Sequence, residues 1–305
     1  MASESELIAA LSAVFKLSDA KVLENVIIGI GDDGAVISPT SNKTVLAADM
    51  AVEGVHFNRK WSTLREIGAK ITAANLADIY AMGGDPKYLL VSAGLTPDFG
   101  INEVTELAMG IASEAKLVGA SVVGGDISKA DQLVISISVF GEVENPITRS
   151  GAKVGDSVII SELPGKSAAG LSQLKSGLTD SVFISAHKKP VVNYELAEKF
   201  RNVNSMCDVS DGLLSELNHI ASASSVGIEL DSELLAKPPG FQDLVAATTE
   251  DIWDLVLAGG EDHVFVATTS AAIPEGAFVI GKVVSGAEVR VSGISKLPAV
   301  GFRHF

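Results

Sequence analysis

Aspartates beside glycines recur along the chain. Asp32 and Asp33 lie in the segment Gly29–Gly34, and Asp126 follows Gly124-Gly125. Carboxylates are ligands that Mg²⁺ prefers in proteins, and glycine lets a ligand approach the backbone closely. The pattern predicts a site that binds phosphate groups together with divalent cations. For Gly29–Gly34 alone, an Asp-Gly hairpin turn is an equally good interpretation.

Asp49 repeats this pattern, because it follows the predicted strand Thr44–Ala48. We expect Asp49 and Asp126 just past the ends of their strands, where α/β folds place ligands. His56 comes soon after Asp49 in the segment VEGVHF. A lone histidine near apolar neighbours is more often a packed or surface residue than a ligand, so both interpretations stay open.

Asp78 lies on the apolar face of a predicted helix. The residues at spacings of four, three, four and four are Ile67, Ile71, Ala74, Asp78 and Met82. Burying an unpaired carboxylate costs several kcal/mol, so Asp78 is expected to be paired, protonated or bound to metal. A buried salt bridge with Lys70 is the alternative to a metal or ligand contact. Asn75 flanks the same face.

The segment Cys207–Leu214 places Asp208, Ser210 and Asp211 directly before a predicted helix. Asp208 or Ser210 could cap that helix, although capping accounts for one of these residues and not for all three. A helix N-terminus also suits a phosphate group, and neighbouring carboxylates suit the magnesium that accompanies it.

A similar segment, Gly259–Asp262, ends another predicted helix and is expected to expose Glu261 and Asp262 before a strand. A C-cap followed by a turn explains the glycines. As a site, the segment repeats the pattern of glycines followed by carboxylates.

Gly165-Lys166-Ser167 resembles the end of a P-loop. The glycine that a P-loop requires earlier falls on Ile160, so the motif fails. We expect these residues to open a helix, with a phosphate contact as the less favoured interpretation.

Predicted strands alternate with predicted helices along the chain, which indicates an α/β (α+β) fold. The strict alternation of residues 135–139 is typical of a half-buried strand in an antiparallel or mixed sheet. The predicted helices are 63–82, 102–117, 167–175, 191–200, 210–223 and 251–258. The polar segment 141–156 predicts a boundary between two domains, residues 1–147 and 148–305.

The 305 residues carry a formal net charge of −15, with 47% hydrophobic residues. This charge disfavours binding to nucleic acid or to anionic membranes. No run of 18 apolar residues and no signal peptide is evident. Cys207 is the only cysteine, which excludes an intrachain disulfide and fits a cytoplasmic protein.

Taken together, seven motifs resemble the thiamine-monophosphate kinase family over essentially the whole chain. They are GIGDDGAVI, AADMAVEGVHF, NLADIYAMGGDP, GGD, TRSGAKVGD, DVSDGLLSEL and LAGGEDH, in this order and spacing. The family is related to aminoimidazole ribonucleotide synthetase and selenophosphate synthetase. The resemblance implies a synthetase-like fold, with an N-terminal mixed-sheet domain that pairs across a homodimer and a C-terminal α/β domain.

The resemblance also implies the activity, which is ATP-dependent phosphorylation of thiamine monophosphate to thiamine diphosphate by direct in-line transfer. The implied magnesium ligands are Asp33, Asp49, Asp78, Asp126, Asp208 and Asp211. The implied contacts to ATP are Gly125, Asp126, Arg149 and Ser210, with Arg149 also stabilising charge. The implied substrate contacts are His56, Glu261 and Phe302.

The chain departs from the family pattern at three places. Ala47-Ala48 replaces the Ser-Thr pair of many relatives, so backbone carbonyls are left to make that magnesium contact. Ile127-Ser128 replaces a hydroxyl pair, and His263 replaces the commoner tyrosine. The rival interpretations are a related synthetase, a magnesium-dependent phosphohydrolase and a non-catalytic nucleotide-binding protein. The N-terminal cysteine or selenocysteine of selenophosphate synthetases is missing here.

Overall fold

The structure is a computed structural model that describes residues 4–15, 24–28, 36–39, 43–294 and 296–298. The chain divides into two compact units, of which the first comprises residues 1–79 and 84–144 and the second residues 80–83 and 145–305. None of the described helices is both long and apolar enough to cross a membrane.

The first unit contains a four-stranded sheet in the order β3-β6-β4-β5. Its described elements are α1 (Glu4–Phe15), β1 (Val26–Ile28), β2 (Val36–Ile37), β3 (Thr44–Val52), α2 (Leu64–Ala81), β4 (Asp85–Leu95), α3 (Ile101–Leu117), β5 (Ser121–Lys129) and β6 (Val134–Glu142). Strand β6 is antiparallel to β3 and β4, whereas β4 and β5 are parallel. The predicted mixed sheet is therefore confirmed.

Strand β6 shows why the sequence specifies this sheet. Ile135, Ile137 and Val139 are fully buried, whereas the residues between them are partly exposed. One face of β6 therefore lies in the core, as the alternating sequence predicts.

Helices α2 and α3 cross at close range because glycines face the contact. A Cβ atom on Gly68 would lie 2.3 Å from the Leu107 carbonyl oxygen, and one on Gly110 would lie 2.1 Å from the Arg65 carbonyl oxygen. Larger residues at these positions would push the helices apart. The glycines therefore fix the position of α2, which carries Asn75 and Asp78.

The second unit is built on a six-stranded sheet in the order β12-β9-β11-β7-β10-β8. Its described elements are a 3₁₀ turn (Arg149–Gly151), β7 (Ser157–Ile160), α4 (Lys166–Lys175), α5 (Val182–Lys188), α6 (Tyr194–Lys199), β8 (Ser205–Asp208), α7 (Leu213–Ser224), β9 (Gly227–Asp231), α8 (Ser232–Leu235), α9 (Phe241–Ala247), α10 (Ile252–Ala258), β10 (Phe265–Thr269), β11 (Phe278–Val284) and β12 (Val289–Ser292). Strands β12 and β9 are parallel, and the other described pairs are antiparallel. The apolar core of this unit includes Ile160, Leu217, Ile228 and Val266.

Candidate active site

Asp49 and Asp126 lie inside strands, and the expectation that each follows the end of a strand is wrong. Strand β3 continues past Asp49 to Val52, and β5 continues past Asp126 to Lys129. Gly124 and Gly125 lie within β5 and do not end it. A Cβ atom on Gly125 would lie 1.8 Å from the Val91 carbonyl oxygen. Glycine at this position allows the close pairing of β5 with β4.

The two aspartates occupy opposite edges of the sheet. Asp49 pairs with Ile137, Ile137 with Val91, and Val91 with Gly125, so Asp126 lies one residue beyond this row. Three strand spacings separate β3 from β5, or roughly 14 Å. The sheet of one chain therefore holds Asp49 and Asp126 apart.

Neighbouring polar groups hold Asp49 in place. The Asp49 backbone N–H donates to the Asn75 side-chain oxygen at 3.0 Å, and the Ser136 hydroxyl donates to the Asp49 carbonyl at 3.1 Å. Asn75 is fully buried on α2. The helix therefore anchors the strand at this aspartate, which gives Asn75 a structural function that the sequence pattern did not assign.

Asp78 is half-buried, whereas its position on the apolar face of the helix predicts that it is fully buried. Together with Ala74 and Met82, it forms a partly exposed line along an otherwise buried stretch of the helix, in which Thr72, Asn75 and Leu76 are fully buried. Helix α2 is buried on most sides, so the line at Asp78 is its accessible part. A metal or a ligand can reach Asp78 from this line.

His56 closes a turn after β3. Its Nδ1 accepts a hydrogen bond from the Val52 backbone N–H at 3.0 Å, and its own backbone N–H donates to the Val52 carbonyl at 3.0 Å. Because Nδ1 is an acceptor, the neutral ring carries its proton on Nε2. His56 is half-buried, and these two hydrogen bonds give its ring a defined orientation and tautomer.

In the second unit, Asp208 is the last residue of β8 and is buried. Its Oδ2 accepts from the Ser210 hydroxyl at 2.7 Å and lies 3.0 Å from His263 Nδ1. His263 lies on the segment that leads into β10, beside β8 in the sheet. The residue that departs from the family pattern thus contacts a predicted metal ligand.

Helix α7 begins later than predicted. Its first residue is Leu213, and its N-cap is Gly212 with φ of 117° and no side-chain capping bond. The interpretation of Asp208 or Ser210 as the cap of this helix is therefore wrong. A Cβ atom on Gly212 would lie 2.8 Å from the Ala258 carbonyl oxygen, so this position needs glycine for two reasons.

Glu216 joins this group, although it was not predicted. Its Oε2 lies 3.4 Å from Arg149 Nη2, and its side chain is 4% exposed. Burial, followed by the charge of Asp208, raises the pKa of Glu216 to about 7. Glu216 falls on the apolar face of α7 with Leu213 and Leu217, so the argument applied to Asp78 would have found it.

Glu261 is attached to the same group through its backbone. Its N–H donates to the Ser210 carbonyl at 2.7 Å, and its carboxylate lies 3.6 Å from His187 Nδ1. Glu261 has φ of 63° and His263 has φ of 52°. Such left-handed backbone at a residue other than glycine costs about 1–3 kcal/mol and needs support from its surroundings.

Asp262 is buried, and the expectation that both acids of this segment are exposed is wrong. Its carboxylate accepts from the Gly165 N–H at 2.6 Å and from the Ser167 N–H at 2.9 Å. Burial raises the pKa of Asp262 to about 6, against the lowering effect of these two bonds. Helix α4 opens at Lys166 as predicted, and Asp262 already occupies the two N–H groups that a phosphate would need.

The second unit thus brings together five residues, four of them predicted, and the first unit carries four of the other predicted site residues. The second group contains Arg149, Asp208, Ser210, Glu216 and Glu261. The first unit carries Asp49, His56, Asp78 and Asp126. Asp33 and Phe302 lie outside the described residues. Among the described residues, no three His, Cys, Asp or Glu side chains form a ready-made metal cage.

Two family models match the chain. The AIR synthase related protein N-terminal domain matches residues 31–143, and the AIR synthase related protein C-terminal domain matches residues 153–294. The fold and the two models define the chain as a two-domain protein of the AIR synthase related class.

Similar proteins identify one family within this class. The thiamine-monophosphate kinase of Mycobacterium tuberculosis (strain ATCC 25618 / H37Rv) is 36% identical over 289 residues, which cover 92% of this chain and 86% of the relative. The crystal structure of thiamine monophosphate kinase from Aquifex aeolicus has a TM-score of 0.78 and 32% identity, over 85% of this chain and 91% of that one. The structure of AaThiL complexed with AMPPCP and TMP has a TM-score of 0.80 and 31% identity, and the match covers 100% of this chain and 99% of that one. The chain belongs to the thiamine-monophosphate kinase family, which confirms the resemblance.

Proposed function

We propose that this protein transfers the γ-phosphoryl group of ATP to thiamine monophosphate, producing thiamine diphosphate and ADP. One observation carries the proposal: the chain matches thiamine-monophosphate kinases along nearly its whole length, including a structure that holds an ATP analogue with TMP. This reaction is the last step of thiamine diphosphate biosynthesis.

The site residues divide between the two substrates. Gly125, Asp126, Arg149 and Ser210 contact ATP, and His56, Glu261 and Phe302 contact thiamine monophosphate. The tautomer of His56 supports this assignment, since a fixed Nε2–H is a donor suited to a phosphate or a ring nitrogen. The bond from the Glu261 N–H to the Ser210 carbonyl ties the two sets together within the second unit.

The donor set fits magnesium. Burial is the main cause of the raised pKa of Glu216, and the charges of Asp208 and Asp211 raise it further, so three carboxyl groups act on one another at this place. Mg²⁺ keeps several waters and takes one or two carboxylates together with substrate phosphates, so no protein cage is required. The proposed ligands are Asp33, Asp49, Asp78, Asp126, Asp208 and Asp211. When bound, Mg²⁺ supplies the positive charge that screens the phosphate groups from each other.

The remaining chemistry is positioning and charge stabilisation by the chain. A phosphate oxygen of thiamine monophosphate is already anionic near neutral pH, so the attack on the γ-phosphorus of ATP needs no general base. As the bond to the ADP oxygen breaks, charge develops on the transferred group and on ADP. Arg149, whose guanidinium is held near Glu216 and is half-exposed, stabilises that charge.

A homodimer is part of the proposal. Leu46 and Met50 leave 63% and 59% of their surface exposed on one face of the four-stranded sheet, which is typical of a surface that pairs with another. Asp49 and Asp126 on opposite edges could serve one metal ion if the edges of two such sheets meet. We also propose a cytoplasmic location and a domain boundary between residues 147 and 148.

The experiment incubates the protein with ATP, Mg²⁺ and thiamine monophosphate and separates the products by chromatography. We expect equal amounts of thiamine diphosphate and ADP, and neither product when EDTA replaces Mg²⁺. The absence of thiamine diphosphate, with another phosphorylated acceptor consumed instead, would overturn the substrate assignment.

A further inference from the structure

Glu261 reaches its place through a backbone that needs support. Its φ of 63° is unusual for a residue other than glycine, and the segment from Gly259 to Val264 links α10 to β10 without regular structure of its own. The N–H groups of Glu261 and His263 donate to the carbonyls of Ser210 and Val209 at 2.7 and 3.1 Å. These bonds fix one side of the segment.

Asp262 fixes the other side. The helix α4 has Gly165 as its N-cap, with φ of 105° and no side chain to cap the helix. The Asp262 carboxylate takes that function from 97 residues away, since Oδ2 accepts from Gly165 and Oδ1 from Ser167. Both oxygens are used, which fixes the rotation of the carboxylate as well as its position.

The same helix end also supports the Glu261 side chain. Ser167, whose N–H is bound by Asp262, places its hydroxyl 3.0 Å from His187 Nδ1. His187 is buried on α5, and its Nδ1 lies 3.6 Å from Glu261 Oε2. The backbone and the carboxylate of Glu261 are therefore both held in place by contacts that lead to α4. The backbone is held through Asp262, and the carboxylate through His187.

We infer that Asp262 is a positioning residue for thiamine monophosphate, because its two bonds to the start of α4 hold Glu261 in the orientation that receives the substrate. This inference rests on the proposed function for the identity of the substrate. It assigns to Asp262 no contact with the substrate itself. Its effect passes through Glu261, which distinguishes it from a residue that only stabilises the fold.

The test compares Asp262→Asn with Asp231→Asn. Asparagine keeps one acceptor and turns an NH₂ group towards the second donor, so one of the two bonds is lost. Asp231 is a matched control, because it caps α8 through the Glu233 N–H at 2.8 Å but is only half-buried. We expect Asp262→Asn to raise KM for thiamine monophosphate about tenfold, with KM for ATP within about twofold, and Asp231→Asn to change neither.

A double mutant separates positioning from general destabilisation. In a Glu261→Ala background, Asp262→Asn is expected to raise KM for thiamine monophosphate no further. Equal rises in both KM values, or an undiminished effect in the Glu261→Ala background, would overturn the inference. If Asp262→Asn fails to fold, Asp262→Ser keeps one capping oxygen and is measured in its place.

Hydrogen exchange tests the inference without any substrate. The Glu261 N–H, bonded to Ser210, is expected to exchange at least about tenfold faster in Asp262→Asn and at the wild-type rate in Asp231→Asn. Unchanged exchange at Glu261 would refute the positioning. If exchange is faster in Asp262→Asn but the wild-type protein makes no thiamine diphosphate, the positioning of Glu261 stands and the proposed function is refuted.

Discussion

Replacing Asp262 by asparagine has a predictable effect on stability as a function of pH. The pKa of Asp262 is raised from 3.8 to about 6 in the folded protein, chiefly by burial. Between these values the folded state binds more protons than the unfolded state, so the free energy of unfolding falls as pH rises. Asparagine does not titrate, and Asp262→Asn removes this dependence.

The size of the effect follows from the two pKa values. One pKa unit corresponds to about 1.4 kcal/mol, so the raised pKa of Asp262 lowers stability by about 3 kcal/mol at pH 7 and by about 1 kcal/mol at pH 4.5. The stability of Asp262→Asn relative to the wild type is therefore expected to increase by about 2 kcal/mol between pH 4.5 and pH 7. The lost hydrogen bond shifts both values alike and cancels from the comparison.

The assay is urea unfolding at a series of pH values, followed by a probe of the second unit such as Trp253 fluorescence. Asp231→Asn is the control, and its stability relative to the wild type is expected to vary by less than about 0.5 kcal/mol over the same range. A difference between Asp262→Asn and the wild type that stays constant from pH 4.5 to pH 7 would show that burial does not raise the pKa of Asp262.

Substitutions at three further residues test the site. Asp78→Asn is expected to abolish turnover while keeping the thermal unfolding temperature, and near-normal activity would exclude a metal-binding function for Asp78. Arg149→Lys keeps the charge but loses the planar fork, so it should retain more turnover than Arg149→Ala in steady-state kinetics; equal losses would argue against charge stabilisation. Gly125→Ala places a Cβ 1.8 Å from the Val91 carbonyl oxygen and should lower stability by about 1–3 kcal/mol in urea unfolding. Wild-type stability would show that β5 moves without cost.

Much of the fold could be predicted because local sequence and burial agree. The alternation in β6 specified a half-buried strand, and the apolar spacing in α2 specified its length to within one residue at each end. Strand β8 is not evident from the sequence, because Ser-Met-Cys-Asp contains no β-branched residue. Its pairing with β10, more than 50 residues later, is what makes it a strand.

The site was less predictable where distant segments cooperate. The sequence placed Asp262 beside Glu261 as an exposed acid, since the bonds to Gly165 and Ser167 join segments about 95 residues apart. The positions of Asp49 and Asp126 were wrong for another reason, because alanine and glycine neither extend nor end a strand by themselves. Register with β6 and β4 decides where those strands stop.

ATP that is radiolabelled in its γ-phosphate tests the phosphoryl transfer directly. With the protein, Mg²⁺ and thiamine monophosphate, we expect the label to appear in thiamine diphosphate, and we expect Asp208→Asn to prevent this transfer. Label released as inorganic phosphate, at the same rate with and without thiamine monophosphate, would contradict the proposed kinase activity and identify a phosphohydrolase instead.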